Sequence, residues 1–331
     1  MGLVQALMSI DRVEASAPGK LVLSGEYAVL AGGKALVAAV DRRVSCSVER
    51  RNQGDWSFKS EGYFFESTHT VDGLFNELPD GDPARFVARL ASTTALPQHV
   101  AVTIDSSPFY LGKEKLGIGS SAAVTVALGH AIAALEGQQT DIEKLYQVHR
   151  NLQHGVGSGL DIAAAYHGGI TLFQNGQATT HGIDSTVHYG FSFSGESTQT
   201  PHMIARFNKW CGETPPASLV NLISAANDVA EASLNARAFM SCMNDYIQAF
   251  VELDEEAQIG IFGPAHQTAM GLAERHGVLY KPCGAGGGDM GVAFSTDDQA
   301  LTRFQRSVEE QGLNVIQLEI TDDGVQVRAG H

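Results

Sequence analysis

Apolar positions along this chain fall into two spacings. Short β-rich runs dominate the first fifty residues, and helical spacing dominates residues 216–276. Residues 13–48 read as strands. Ala15-Ser-Ala-Pro-Gly-Lys20 leads through a Pro-Gly turn into Leu21-Val-Leu-Ser24 and then Gly25-Glu-Tyr-Ala-Val-Leu30. Gly32-Gly33 turns the chain, and Ala35 to Val48 forms a second strand-like run. Residues 50–81 are polar and aromatic, as expected of a hairpin or an excursion. Phe86, Val87 and Leu90 mark one face of a helix from Pro83 to Ser92, and Val100 to Ile104 is a short strand. An alanine-rich helix ends near Leu135, and a second runs from Asp141 to Gln153 with Asp141 as its cap. Further on, Ile162 to Tyr166 is helical, while residues 168–173 and Val187 to Phe193 are strands. Three helices fill 216–276. A strand at Met290–Phe294, a helix at Asp297–Gly312 and a strand at Asn314–Ile320 complete the chain. This mixture of strands and helices, with 44% hydrophobic residues, is that of an α/β or α+β protein.

Glycine-rich segments sit at the boundaries of these elements. In Lys115-Leu-Gly-Ile-Gly-Ser-Ser-Ala-Ala123, Gly117 and Gly119 let the backbone turn tightly, and Ser120 or Ser121 can cap the helix that follows. The unpaired N–H groups of such a helix end suit a phosphate, and the two hydroxyls suit a phosphate oxygen or Mg²⁺. A plain capped helix after a loop is the alternative. Residues 154–161, His-Gly-Val-Gly-Ser-Gly-Leu-Asp, open a second alanine-rich helix. Lys281-Pro-Cys-Gly-Ala-Gly-Gly-Gly-Asp289 precedes the strand at Met290. No P-loop, no dinucleotide fingerprint, no nucleophile elbow and no His-Glu-x-x-His is present. The histidines show no metal-ligand spacing. Lys20 reads as a strand-end lysine or a site cation. Asp161 reads as a helix-dipole partner or as a carboxylate that accepts a substrate proton.

Composition narrows the classes. The 331 residues carry 37 acidic and 22 basic side chains, a net charge of −15, which argues against a nucleic-acid partner. An anionic ligand then requires a local concentration of the few cations. Cys46, Cys211, Cys242 and Cys283 are far apart, as expected of reduced thiols in a cytoplasmic protein. No apolar run reaches membrane-spanning length, and no secretory signal or complete myristoylation motif stands at the N-terminus.

Together, and in this order, Ala17-Pro-Gly-Lys-Leu-Val-Leu-Ser-Gly-Glu-Tyr-Ala-Val29, Leu116-Gly-Ile-Gly-Ser-Ser-Ala-Ala123 and Lys281–Asp289 resemble motifs one, two and three of the GHMP kinase superfamily. The resemblance runs from about residue 13 to 295. Within the superfamily the chain is most similar to the phosphomevalonate kinase family, through Gly25-Glu-Tyr27, Gly157-Ser-Gly-Leu-Asp-Ile-Ala-Ala164 and Ser194–Thr200. Mevalonate kinases have a metal-binding Glu some eleven residues before the catalytic Asp, where this chain has Arg150. Diphosphomevalonate decarboxylases lack the lysine that is Lys20 here. The family's loop before motif two often carries Pro, which this chain lacks.

The resemblance implies a two-lobe GHMP kinase fold, with an N-terminal ribosomal protein S5 domain 2-like lobe at 1–184 and a C-terminal ferredoxin-like α+β lobe at 185–331. It implies ATP and Mg²⁺ as cofactors and 5-phosphomevalonate as acceptor, with mevalonate or another small alcohol as the alternative and a non-catalytic ligand-binding relative as a third. By the same resemblance Lys20 and Asp161 are catalytic, and Lys115, Gly117, Gly119, Ser120, Ser121 and Ala122 bind the nucleotide. Ser121, with Ser120 as alternative, binds the metal. Lys20, Tyr27, Ser158, Ser194, Ser197, Thr198, Gly284, Ala285, Gly286, Gly287 and Asp289 face substrate. Arg150, Lys113, Lys115, Lys281 and His202 are the candidate cations for an acceptor phosphate. His149 is an ordinary helix residue or a ligand. The partners expected are small molecules alone, in a monomer or homodimer.

Overall fold

The computed structural model describes residues 10–62, 65–78, 82–90, 97, 99–153 and 158–330. Two long strands, β1 (Arg12–Ser24) and β2 (Ala35–Arg50), pair antiparallel as the spine of an eight-stranded sheet. β3 (Trp56–Glu61), β4 (Phe65–His69) and β5 (Val100–Asp105) extend it on one side, with β3 and β5 parallel. A short hairpin, β6 (Tyr110–Leu111) with β7 (Glu114–Lys115), stands apart from it. β8 (Ile170–Gln174) and β9 (Gln177–His181) add to the other half of β2. The second sheet is wholly antiparallel, in the order β11 (Leu279–Pro282), β12 (Met290–Ser295), β10 (His188–Phe193), β13 (Asn314–Ile316). The last strand, β14 (Gln326–Gly330), returns to pair with β1.

The helices are α1 (Ala84–Leu90), α2 (Ser120–Leu135), α3 (Ile142–Leu152), α4 (Leu160–His167), α5 (Thr200–Cys211), α6 (Ala217–Ala232), α7 (Ala236–Ala257), α8 (Pro264–His276) and α9 (Asp298–Glu310). α2 is apolar on nearly every face, and it is buried on nearly every face. Its small residues permit close packing on β1 and β2. At Gly129 a Cβ would meet Leu145 of α3 at 2.7 Å. α3, by contrast, buries one stripe of Leu145, Val148 and His149, and its cap is the Asp141 carboxylate accepting from the Lys144 N–H.

The structure corrects several expectations. Pro18-Gly19 is not a turn. It lies within β1, where the register against β2 slips from Pro18–Arg43 to Gly19–Val40, so the irregularity is a bulge on β2. Gly25 to Leu30 is not a strand, because Gly25 and Tyr27 both take positive φ and the chain turns into a 3₁₀ segment at Ala28–Ala31. Asn314–Ile320 is strand only to Ile316. The stretch 185–331 is not confined to one lobe. β14 joins the first sheet because β1 otherwise has an unpaired edge. Strands β9 and β14 and helix α5 were not expected. Residues 154–157 lie outside the described residues.

Candidate active site

β1 brings Lys20 to the centre of the molecule. Its backbone N–H donates to the carbonyl of Ile118 at 2.8 Å, so the first glycine motif lies directly against the second. Only 9% of Lys20 is exposed, and its stem packs over Gly119, where a Cβ would sit 2.9 Å from Lys20 Cγ. Gly119 therefore has two constraints, this contact and a φ of 81°. The Lys20 Nζ is 3.2 Å from Asp161 Oδ1. Burial alone would favour the neutral amine. The Asp161 carboxylate overcomes this and holds the Lys20 pKa above its ordinary value, so the ammonium is fully charged.

Gly119, in left-handed conformation, is the N-cap of α2. Neither Ser120 nor Ser121 caps the helix, contrary to the sequence reading. Both lie inside it, and the Ser121 hydroxyl is 3.0 Å from His149 Nε2. Burial lowers the His149 pKa, and Lys20 opposes its charging further, although Asp161 favours it. In the tautomer that carries its proton on Nδ1, a neutral His149 accepts the Ser121 proton at Nε2. The lone pairs of the Ser121 oxygen are then available to a cation. His149 is thus a neighbour of the site that helical periodicity shows only as a core residue.

Asp161 enters from the second position of α4, behind Gly159 with φ 94°. A side chain at Gly159 would strike the Tyr146 ring at 3.0 Å. Opposite, Tyr27 holds a strained φ of 58° and donates its hydroxyl proton to the carbonyl of Ala285 at 2.7 Å. Burial, with Asp254 and Glu26 adding, pushes the Tyr27 pKa up, so its proton stays in that bond. Beneath it is a buried ion pair of Glu26 and Lys281. Lys281 also donates to the carbonyls of Val22 and Pro282, and Tyr246 donates to Glu26 at 2.6 Å while accepting from the Gly25 N–H at 3.0 Å. This network ties β1, β11 and α7 together. It also removes Lys281 from the candidate cations, because the ammonium is fully buried and bonded.

Asp289 closes the other side with φ 57°. Its carboxylate accepts from the Thr198 N–H at 3.2 Å, its backbone pairs with Ser194 and Glu196, and its side chain lies where a Cβ on Gly117 would be, 2.3 Å from Asp289 Cγ. Burial raises its pKa to about 6, although the Thr198 bond, Lys20 and Lys115 act against the rise.

The structure gathers Lys20, Tyr27, Gly117, Ser158, Asp161, Gly284, Ala285 and Asp289 around one cleft of about 120 Å³. Gly119, Ser120, Ser121 and Ala122 form the helix end behind it. Gly286 and Gly287 do not face the cleft. Side chains there would meet Ile261 and Met203, so these glycines allow close packing. Ser194 is held by Glu196, and Ser197 is exposed on the same loop. Lys113 occupies the tip of the β6–β7 hairpin and Lys115 its return strand. His202 is exposed on α5. Sequence reasoning missed Glu26, Cys283, Thr200 and Ile204 in the cleft wall. Burial pushes the Cys283 pKa up to about 12, which keeps it a thiol. All four cysteines are unpaired.

Among the described residues no helix is long and apolar enough to cross a membrane, and no group of three His, Cys, Asp or Glu side chains can hold a metal. Residues 84–169 match the family described as GHMP kinases N terminal domain. A phosphomevalonate kinase of Saccharolobus solfataricus is 27% identical over 96% of this chain and 99% of its own length. A mevalonate kinase of Thermococcus onnurineus is 24% identical over 96% and 98%. Among solved structures, the Lin0012 protein of Listeria innocua superposes with a TM-score of 0.82 at 22% identity, covering 97% of this chain and 100% of that one. A Streptococcus pneumoniae phosphomevalonate kinase in complex with phosphomevalonate and AMPPNP superposes at 0.73 and 18%, covering 92% and 99%. The chain thus carries a GHMP kinase N-terminal domain at residues 84–169 and has the GHMP kinase fold as a whole.

Proposed function

We propose that this protein transfers the γ-phosphoryl group of ATP, with Mg²⁺, to the phosphate of 5-phosphomevalonate and forms the diphosphate. One observation carries the reading: the charged Lys20–Asp161 pair faces a cleft that Gly117 lines and behind which the α2 N-terminus stands. The acceptor in this reading is that of two relatives, aligned over 96% and 93% of this chain, that are phosphomevalonate kinases; mevalonate kinases are similar to the chain as well.

The N–H groups of the first α2 turn hold nucleotide phosphate oxygens, and Gly117 lets the backbone approach them. The Ser121 oxygen, its proton engaged by His149, would be one ligand of Mg²⁺, with nucleotide phosphate oxygens and water as the others. Bound Mg²⁺-ATP supplies the phosphoryl group and neutralises part of its charge. The attacking atom is an oxygen of the acceptor's own phosphate. With a second pKa near ~6, that phosphate is mostly deprotonated at neutral pH and needs little base catalysis. Asp161 therefore holds Lys20 and orients the attack, while Lys20 offsets the repulsion between two anions. With mevalonate as acceptor, Asp161 would instead take the hydroxyl proton.

The test is ADP release from Mg²⁺-ATP with 5-phosphomevalonate, mevalonate, homoserine and galactose in parallel. Turnover restricted to 5-phosphomevalonate supports the reading. Turnover with mevalonate alone keeps the cleft chemistry and overturns the acceptor.

A further inference from the structure

The cleft around Lys20 and Asp161 measures about 120 Å³, while small-molecule pockets hold roughly 300–1,000 Å³. It is smaller than a pocket that encloses a whole ligand of that class. A second cavity, of about 680 Å³, continues from it past His149, Gln153, Ser158, Gly159, Leu30 and Ile204. This outer cavity shares none of Gly117, Gly284, Ala285 or Asp289, so it extends away from the Gly117 loop. Its wall carries two charged side chains, Glu143 and Arg150, both on α3. Arg150 makes no ion pair or side-chain hydrogen bond among the described residues. The Tyr146 hydroxyl, in the same wall, is buried without a partner there. In a chain of net charge −15, a guanidinium in this wall with no ion pair among the described residues is a local exception.

We propose that the outer cavity binds the carboxylate end of the acceptor and that Arg150 is the residue that recognises it. The ligand class is a short acid whose phosphorylatable group lies at the opposite end from its carboxylate. A planar guanidinium grips a carboxylate through two parallel hydrogen bonds, which a lysine cannot reproduce. Lys20 cannot serve, because it is engaged with Asp161, and Lys281 cannot, because it is buried against Glu26. The inference rests on the kinase reading above but applies to either acid acceptor.

The experiment measures kcat and KM for 5-phosphomevalonate with wild type, Arg150→Gln, Arg150→Lys and Arg150→Glu, alongside KM for ATP and the melting temperature. Arg150→Gln should raise the acceptor KM about tenfold or more, the loss expected of a charge-assisted pair, with kcat within about twofold and KM for ATP unchanged. Arg150→Lys should recover part of the loss, and Arg150→Glu should lose more. The methyl ester of the acceptor should be as poor a ligand for wild type as the acid is for Arg150→Gln, with no further loss when both changes are combined. An unchanged acceptor KM in folded Arg150→Gln and Arg150→Glu, or additive losses with the ester, would overturn the inference and leave the kinase reading intact. Turnover of mevalonate instead would overturn the acceptor reading, and the same comparison made with mevalonate would still decide the role of Arg150. Wild type that binds neither acid by calorimetry would end both.

Discussion

Single side chains fix where charge is held in the cleft. Lys20 stays charged in a nearly buried position only because Asp161 is 3.2 Å away. Lys20→Met and Asp161→Asn should each lower kcat by about 10²-fold or more, the scale of removing one preorganised charge from a reacting centre. Both should leave the fold intact by circular dichroism. Near-wild-type turnover in either variant would remove that residue from the reaction. Asp289 gives a pH test. Its carboxyl has a pKa of about 6 in the folded chain, against 3.8 ordinarily. The folded state therefore keeps a proton that the unfolded state releases between these values. The stabilisation from that proton is complete below about pH 4 and lost as pH rises through 6. The melting temperature of wild type relative to Asp289→Asn should fall over that window and level off above it. A difference independent of pH would contradict the assigned environment. Residue identities of this kind were partly legible. Lys20 and Asp161 stood out through the motifs around them, but nothing in the sequence distinguishes His149 from an ordinary core histidine. Its role depends on Ser121 Oγ approaching from another helix.

Among the elements, the glycine motifs act as close-approach points. β1 meets the second motif through Gly19 and the Lys20–Ile118 hydrogen bond, and α4 starts tight against Tyr146 through Gly159. The long helices and most strands were legible because their periodicity reflects one-sided burial. β9 was not legible, being short and half-exposed, α5 was not because it buries only Met203 and Phe207, and β14 was not because its place is decided by a distant partner edge. Lys281 shows the same limit. Its neighbours suggested a site cation, yet β11 buries it against Glu26. Lys281→Met should destabilise the protein by about 3–5 kcal/mol in urea, because it strands a buried carboxylate. Pairing it with Glu26→Gln should cost less than the single change. Equal stability of wild type and Lys281→Met would show that the network does not tie the strands together.

For the whole molecule, the two sheets depend on each other through β14 and the Glu26–Lys281–Tyr246 network. Removing residues 326–330 would expose the β1 edge opposite Ala15 and Arg12, and the melting temperature should drop by about 5 °C or more, with a rise in aggregation. No change in either would mean that β1 does not need its edge covered. The cavity that carries Arg150 does not include Gly117 of the proposed phosphate loop, so the two proposed binding regions do not overlap there. The most direct measurement of that reaction is the ³¹P spectrum of wild-type protein incubated with Mg²⁺-ATP and 5-phosphomevalonate. The account predicts loss of the phosphomonoester signal and two coupled signals of a new diphosphate ester, in step with ADP. An unchanged phosphomonoester, or the appearance of one from added mevalonate in its place, would contradict it.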